Sequence, residues 1–399
     1  MNQNSNNDNN ETYSHSNHNA NKSSSSESHY YIKERRILSK IATVSCVLII
    51  LVGTVATIAL SGILGNNSDV MVNAEESSTE SDTSVEEDVS DEASLESSVP
   101  EEPQKPVYST NAEFTVNDIA LSDDTIEYLD EKVTSEFIVL YDATTDQIIY
   151  HKNEEEKCYP ASTTKMLTAI VASSIIDSDT EITVGDEIKL IGEDSSTAGL
   201  QIGDKLTFEM LMDALILPSG NDAAYTVAVN AARIYKDDQS LSNEEALSIF
   251  MELVNDAAQQ IGAKDTHFVT PDGWHDDDHY TTATDLAKIA AYARTIPLVK
   301  ESVGKAYAKW DLLSGGTAEW YNSNKLLLYG SGVYSQYIDG MKTGFTDEAG
   351  TSVVASATID GHTMIAVVMN GENLYKKYED ANLLFKAGFE LYDLQYTYG

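Results

Sequence analysis

The chain has little cysteine, with Cys46 and Cys158 the two in 399 residues. Cys46 lies inside an apolar run, which argues against its pairing with Cys158, so the fold does not rest on a disulfide and the redox compartment stays open. Basic residues are also scarce. There are 25 of them against 65 acids, a formal net charge of −40 at pH 7. Phosphate backbones are held by basic surface, so this balance excludes a nucleic-acid partner. No internal repeat divides the chain, whose length suits one large domain or two ordinary ones.

Charge is missing altogether from Ile41 to Leu64, 24 residues reading "IATVSCVLIILVGTVATIALSGIL". That length spans a bilayer as a helix. Lys33, Arg35, Arg36 and Lys40 precede it, and Asn66, Asn67 and Asp69 follow. The basic flank marks the cytoplasmic side, so the expected arrangement is an N-terminus inside and the bulk of the chain outside. "VNA" at 72–74 offers a signal-peptidase site, and cleavage after Ala74 is the rival reading. The long apolar run and the leader of about 40 residues favour an uncleaved anchor.

The expected organisation follows from composition. Residues 1–36, rich in Asn, Ser and His, read as a disordered cytoplasmic tail, and 37–64 as a transmembrane anchor. Residues 65–111, as in "EESSTESDTSVEEDVSDEASLESSVPEEP", read as an acidic spacer whose like charges extend it. From 112 to 399 the composition is that of a globular domain. "FIVLYDATTDQIIYHKN" (137–153) predicts a β-hairpin, and "TSVVASATIDGHTMIAVVMNG" (351–371) predicts two strands about an Asp360–Gly361 turn. Between them, helices are predicted after Pro160, over 206–217, over 243–262 with Gly262 as the C-cap, and over 283–295. A last helix is expected around "YEDANLLFKAGFELY". Strands at both ends and helices between them predict an α+β domain. Its antiparallel sheet would be closed by N- and C-terminal strands around a helical insertion.

"PASTTKMLTAI" places Ser162 at the start of a helix and Lys165 one turn on, facing the same side. The pair could be a cap and a solvated charge, or a nucleophile and its base. Ser-x-x-Lys recurs at Ser302–Lys305, so the spacing alone decides nothing. Two further stretches bear on it: "ILPSGNDAA", with Ser219, Gly220 and Asn221 in a turn after a helix, and "IDGMKTGFTDEAG", with Lys342, Thr343 and Gly344 after a β-type run. Each alone is an ordinary turn or strand end. In this order, together, they match the three-part signature of serine β-lactamases and penicillin-binding proteins.

The chain resembles the low-molecular-mass penicillin-binding proteins that are D-alanyl-D-alanine carboxypeptidases. "YPASTTKMLTAI", "SGNDAA", "TPDGWHDDDHYTTATDLAKIA", "NSNKLL" and "DGMKTGFTDEAG" carry the likeness, over roughly residues 115–399. It implies a β-lactamase/transpeptidase-like fold and an acyl-enzyme on Ser162. Lys165 acts as base if it is neutral, which burial and a nearby cation, Lys342, would favour. Ser219 passes a proton to the departing amine, and the Asn221 amide holds both Lys165 and the substrate backbone. Lys342 and Thr343 suit a terminal carboxylate, and Gly344 lets the substrate approach. The N–H groups of Ser162 and Phe345 would form the oxyanion hole.

The implied substrate is a peptidoglycan stem peptide ending in D-Ala-D-Ala, with β-lactams as covalent inhibitors and no metal or organic cofactor. Many relatives continue into a further β-rich domain and an amphipathic membrane helix. Here the last predicted helix is followed at once by Gly399, so the N-terminal span is expected to serve as the anchor.

Alternatives for the same site are β-lactamase, D,D-endopeptidase or transpeptidase activity, or a non-catalytic β-lactam-binding wall protein. Ser-Gly-Asn in place of Ser-Asp-Asn argues against a class A β-lactamase, and Glu252, on a predicted amphipathic helix, reads as a surface charge rather than a deacylating base. His275, Asp276, Asp278 and His279 in "GWHDDDHY" could bind a metal, but an acidic loop before a helix is ordinarily solvated. Cys158, four residues before Ser162, reads as a small, partly buried residue.

Overall fold

The computed structural model describes residues 103–110, 112–116 and 121–399. The expected tail, anchor and most of the acidic spacer lie outside the described residues, among which no helix is long and apolar enough to cross a membrane.

A short strand β1 (Thr115–Val116) and helix α1 (Asp123–Lys132) lead into the hairpin β2 (Phe137–Asp142) and β3 (Gln147–Lys152). A 3-10 turn over Ala161–Thr164 runs directly into α2 (Lys165–Ser173). Next come β4 (Glu181–Thr183), β5 (Lys205–Thr207), α3 (Phe208–Ile216), α4 (Asn221–Tyr235), α5 (Asn243–Ile261), α6 (Ala283–Ala293) and α7 (Pro297–Gly304). The hairpin β6 (Tyr307–Asp311) and β7 (Thr317–Tyr321) precedes β8 (Ile338–Thr346), β9 (Gly350–Ile359) and β10 (His362–Gly371), and α8 (Lys376–Glu390) is the last element.

The main sheet has the order β1-β3-β2-β10-β9-β8. The expected closure by N- and C-terminal strands is the antiparallel pairing of β2 with β10, Leu140 opposite Ala366. All six residues of β2 are buried, because both faces of the sheet are covered. Ile138 and Leu140 pack towards Leu384 and Phe385 of α8, while Val139 and Tyr141 belong to the helical core on the other face. Asp360 and Gly361, both at positive φ, make the two-residue turn that matches strand twist. Helix α5 starts on a Ser242–Glu245 capping box and ends at Gly262 with φ 91°, as expected from its sequence.

Helix α2 passes through the middle of the helical layer, and every residue from Lys165 to Ala172 is buried. A helix apolar on all sides belongs in a core, and this one carries a lysine there.

Two expectations need correction. The spacer does not extend to residue 111 as a solvated segment. Tyr108 is buried, its hydroxyl 2.9 Å from Ser174 Oγ and its backbone N–H donating to Gln260 Oε1, while Tyr235 donates to the Pro103 carbonyl. One aromatic ring and a few backbone contacts suffice to hold a short segment whose composition reads as polar. Cys158 is 6 % exposed, more deeply set than expected, and burial pushes its thiol up to about 12.

Candidate active site

Ser162 is the one residue of its turn that is not buried. The turn is tightly made: Thr163 Oγ1 donates to the Pro160 carbonyl at 2.7 Å and Thr164 Oγ1 to that of Ala161 at 2.8 Å. Ala161 is held at φ 47°, a region that a residue with a Cβ seldom occupies and that costs of order 1–3 kcal/mol. Gly273, at φ 84°, abuts this turn so closely that a Cβ there would lie 1.9 Å from the Ala161 carbonyl oxygen.

Lys165 is 0 % exposed and its ammonium nitrogen makes three contacts. It lies 3.0 Å from Ser162 Oγ, 2.7 Å from Asn221 Oδ1 and 2.8 Å from the Asp272 carbonyl oxygen. Burial lowers its pKa to about 8, against the opposing charges of Asp272 and Asp222. A lysine so placed has an appreciable neutral fraction near neutrality and sits within proton-transfer distance of a serine hydroxyl.

Ser219 and Asn221 come from the α3–α4 connection. Ser219 is buried and held at φ 63°, and Asn221 is the first residue of α4. Gly220 leaves no room for a side chain, since a Cβ would be 2.7 Å from the Ala214 carbonyl oxygen. Asp222 clamps the facing loop: its carboxylate accepts from the backbone N–H groups of Ala198, Gly199 and Leu200 at 2.8–2.9 Å.

The third segment lies on the sheet edge. Lys342, Thr343 and Gly344 run along β8, with Thr343 Oγ1 2.7 Å from Ser323 Oγ. Lys342 is buried; burial first, then repulsion by Lys165 and Lys377, hold its pKa well below the ordinary lysine value. Burial is the first cause of the lowering at both lysines, and the repulsion between them is mutual. The Phe345 side chain is 57 % exposed at the end of the strand.

Ser162, Lys165 and Asn221 are thus joined directly, and Gly344 touches the Ser162 turn. The second Ser-x-x-Lys is structural, because Ser302 Oγ and Lys305 Nζ both donate to the buried Asp213 carboxylate, as does Trp310 Nε1. Glu252 is exposed on α5.

The "GWHDDDHY" residues have separate tasks, and among the described residues no three His, Cys, Asp or Glu side chains gather as a metal set. His279 Nδ1 accepts from the Val269 N–H at 3.1 Å, so its Nε2 carries the proton and donates to Thr164 Oγ1 at 2.8 Å. Burial lowers its pKa to about 3, and the neutral ring braces the serine turn. His275 packs edge-on against Tyr159.

Asp222 and the Asp272 carbonyl were not singled out in the sequence, and His279 was weighed there as a metal ligand, not as a brace for the serine turn. Asp222 follows Asn221 at a helix start and carried a weak signal as an N-terminal acid. A backbone carbonyl 107 residues from the lysine it holds carries none.

The family model described as D-alanyl-D-alanine carboxypeptidase matches residues 124–373. The D-alanyl-D-alanine carboxypeptidase DacF of Bacillus subtilis is 29% identical over 268 residues, covering 65% of this chain and 63% of the relative. The D-alanyl-D-alanine carboxypeptidase of Streptomyces sp. strain K15 is 31% identical over 62% of this chain and 84% of its own, while DacD of Escherichia coli is 32% identical over 63% and 62%. The match thus spans just under two thirds of the length of the Bacillus and Escherichia relatives. The crystal structure of the Streptomyces K15 DD-transpeptidase superposes with a TM-score of 0.59 at 28% identity, over 65% of this chain and 98% of that one. With the serine, lysine and asparagine in contact and the fold shared, the chain belongs to the D-alanyl-D-alanine carboxypeptidase family.

Proposed function

We propose that the protein is a membrane-anchored serine D,D-carboxypeptidase that removes the terminal D-alanine from peptidoglycan stem peptides. The observation that carries this reading is the buried Lys165 ammonium nitrogen 3.0 Å from Ser162 Oγ, fixed by Asn221. Ser162 attacks the carbonyl of the D-Ala-D-Ala bond while Lys165 takes its proton. The N–H groups of Ser162 and Phe345 stabilise the oxyanion. Ser219 relays a proton to the departing D-alanine, and water then hydrolyses the ester. Lys342 and Thr343 receive the terminal carboxylate, and a bound carboxylate would restore the proton that burial makes costly at Lys342. β-Lactams would acylate the same serine. The uncharged run Ile41–Leu64 and its basic N-terminal flank support a single span with the catalytic domain outside the cell.

The test is incubation of the purified domain with an N-acylated peptide ending in D-Ala-D-Ala. Stoichiometric free D-alanine is expected, together with its loss in Ser162→Ala. No release from a folded protein would refute the activity. Transfer to an amine acceptor is a second reading, favoured by the name DD-transpeptidase carried by the Streptomyces structure. Adding glycine or a D-amino acid and weighing the product separates transfer from hydrolysis.

A further inference from the structure

Asp272 is 1 % exposed, yet one of its carboxylate oxygens has no donor. Its carbonyl oxygen accepts from Lys165, and Oδ1 accepts from the Trp274 backbone N–H at 3.1 Å, while Oδ2 is buried without a hydrogen-bond partner. An unpaired buried carboxylate oxygen is costly, and this one belongs to the residue whose backbone carbonyl holds the Lys165 amine, which asks for a reason.

The ionisable groups around Lys165 come from three elements. Helix α4 brings Asp222, and also Tyr225, which lies in the field of Asp272. Strand β8 brings Lys342, and the segment before α6 brings Asp272 and His279. His279 is neutral, and Lys342 is driven towards its neutral form. The Asp222 carboxylate is spent on the N–H groups of Ala198, Gly199, Leu200 and Ala223. Among these described groups, Asp272 is the acid whose charge is least quenched by donors.

Resting on the acyl-transfer reading above, we infer that Asp272 is a positioning residue. Its unpaired carboxylate oxygen holds the proton on Lys165 against the pull of the surrounding apolar core. During acylation the Ser162 hydroxyl proton moves to Lys165 as the Oγ–acyl bond forms. The substrate C–N bond breaks, and the leaving amine takes a proton through Ser219. In between, Lys165 is an ammonium ion in a dry site, and Asp272 is the counter-charge that makes this state accessible. The same charge has a cost, because it holds more of the resting lysine in the protonated form that cannot act as base.

The test is the pH dependence of penicillin acylation in the wild type, Asp272→Asn and Asp272→Glu. Removing the charge should move the ascending limb about one unit to lower pH, so that at the acid end the Asn variant acylates several-fold faster than the wild type. The Glu variant should keep the wild-type limb. Asp272→Ser serves as a second neutral variant if Asn does not fold, and failure of both to fold, seen by circular dichroism, would overturn the inference by making Asp272 part of the scaffold. An unmoved limb would overturn it as well. So would an unmoved limb with a long-lived acyl-enzyme, which would assign Asp272 to the hydrolytic water. A wild type that is never acylated would instead sink the underlying acyl-transfer reading.

Discussion

Gly344 of the edge strand and Pro160 before the serine turn are in backbone contact: a Cβ at Gly344 would lie 2.8 Å from the Pro160 carbonyl oxygen and 3.4 Å from the Ser162 nitrogen. Two segments nearly two hundred residues apart thus meet with only the Ala161 methyl, 3.2 Å from that Cβ position, as a side-chain neighbour, and the spacing of the site depends on that. The neighbour is backbone and cannot rotate away.

Gly344→Ala should therefore open the cleft. The expected costs are about 1–3 kcal/mol of stability from overpacking and roughly 10- to 100-fold in acylation rate from misplacement of the strand. Thermal melting and penicillin acylation kinetics on one preparation check both. Wild-type acylation in the variant would show that the contact does not set the site.

His279 makes a second prediction, through stability. Its pKa in the folded protein is about 3 against an ordinary value of 6.5, so the folded state binds fewer protons than the unfolded one. The contribution is therefore fully present above pH 6.5 and is lost as pH falls from there towards 3. The slope is at most about 1.4 kcal/mol per pH unit. Denaturant unfolding between pH 7 and 5 should show the loss in the wild type and a shallower dependence in His279→Gln. Parallel curves would remove the neutral-brace role.

A third prediction separates two roles for Lys342. As the anchor of a terminal carboxylate, Lys342→Ala should cost about 2–4 kcal/mol in kcat/KM for a free D-Ala-D-Ala end and much less for the same peptide amidated. An equal loss for acid and amide would place Lys342 in the lysine–serine machinery or the fold. Because burial and two other lysines disfavour its charge, carboxylate binding should also draw a proton from solution. Calorimetry in buffers of different ionisation enthalpy would register that uptake, and its absence would argue against the anchor.

Particular residues show how much of this was legible in the sequence. Ser162, Lys165, Ser219, Asn221 and Lys342 to Gly344 could be read because the chemistry needs those residue types in those local contexts. The central strands were equally plain, since β2 and β9 are almost wholly buried and rich in β-branched and apolar residues. Strands β4 to β7 were not anticipated. Each has three or five residues with an exposed side, too short for period-two alternation to show. Nor were Gly273 against Ala161, His279 under Thr164, or Asp272 beside Lys165 anticipated. These are contacts between a loop and a turn more than a hundred residues away, made through backbone atoms or tautomer choice, which no local pattern encodes.

The most direct measurement is mass spectrometry of the folded protein after brief exposure to penicillin, followed by digestion. A single adduct of the intact drug mass is expected on the peptide that carries Ser162, absent in Ser162→Ala and in Lys165→Met. An adduct on another residue, or none on a protein that is folded by circular dichroism, would contradict Ser162 as the nucleophile and the carboxypeptidase reading with it.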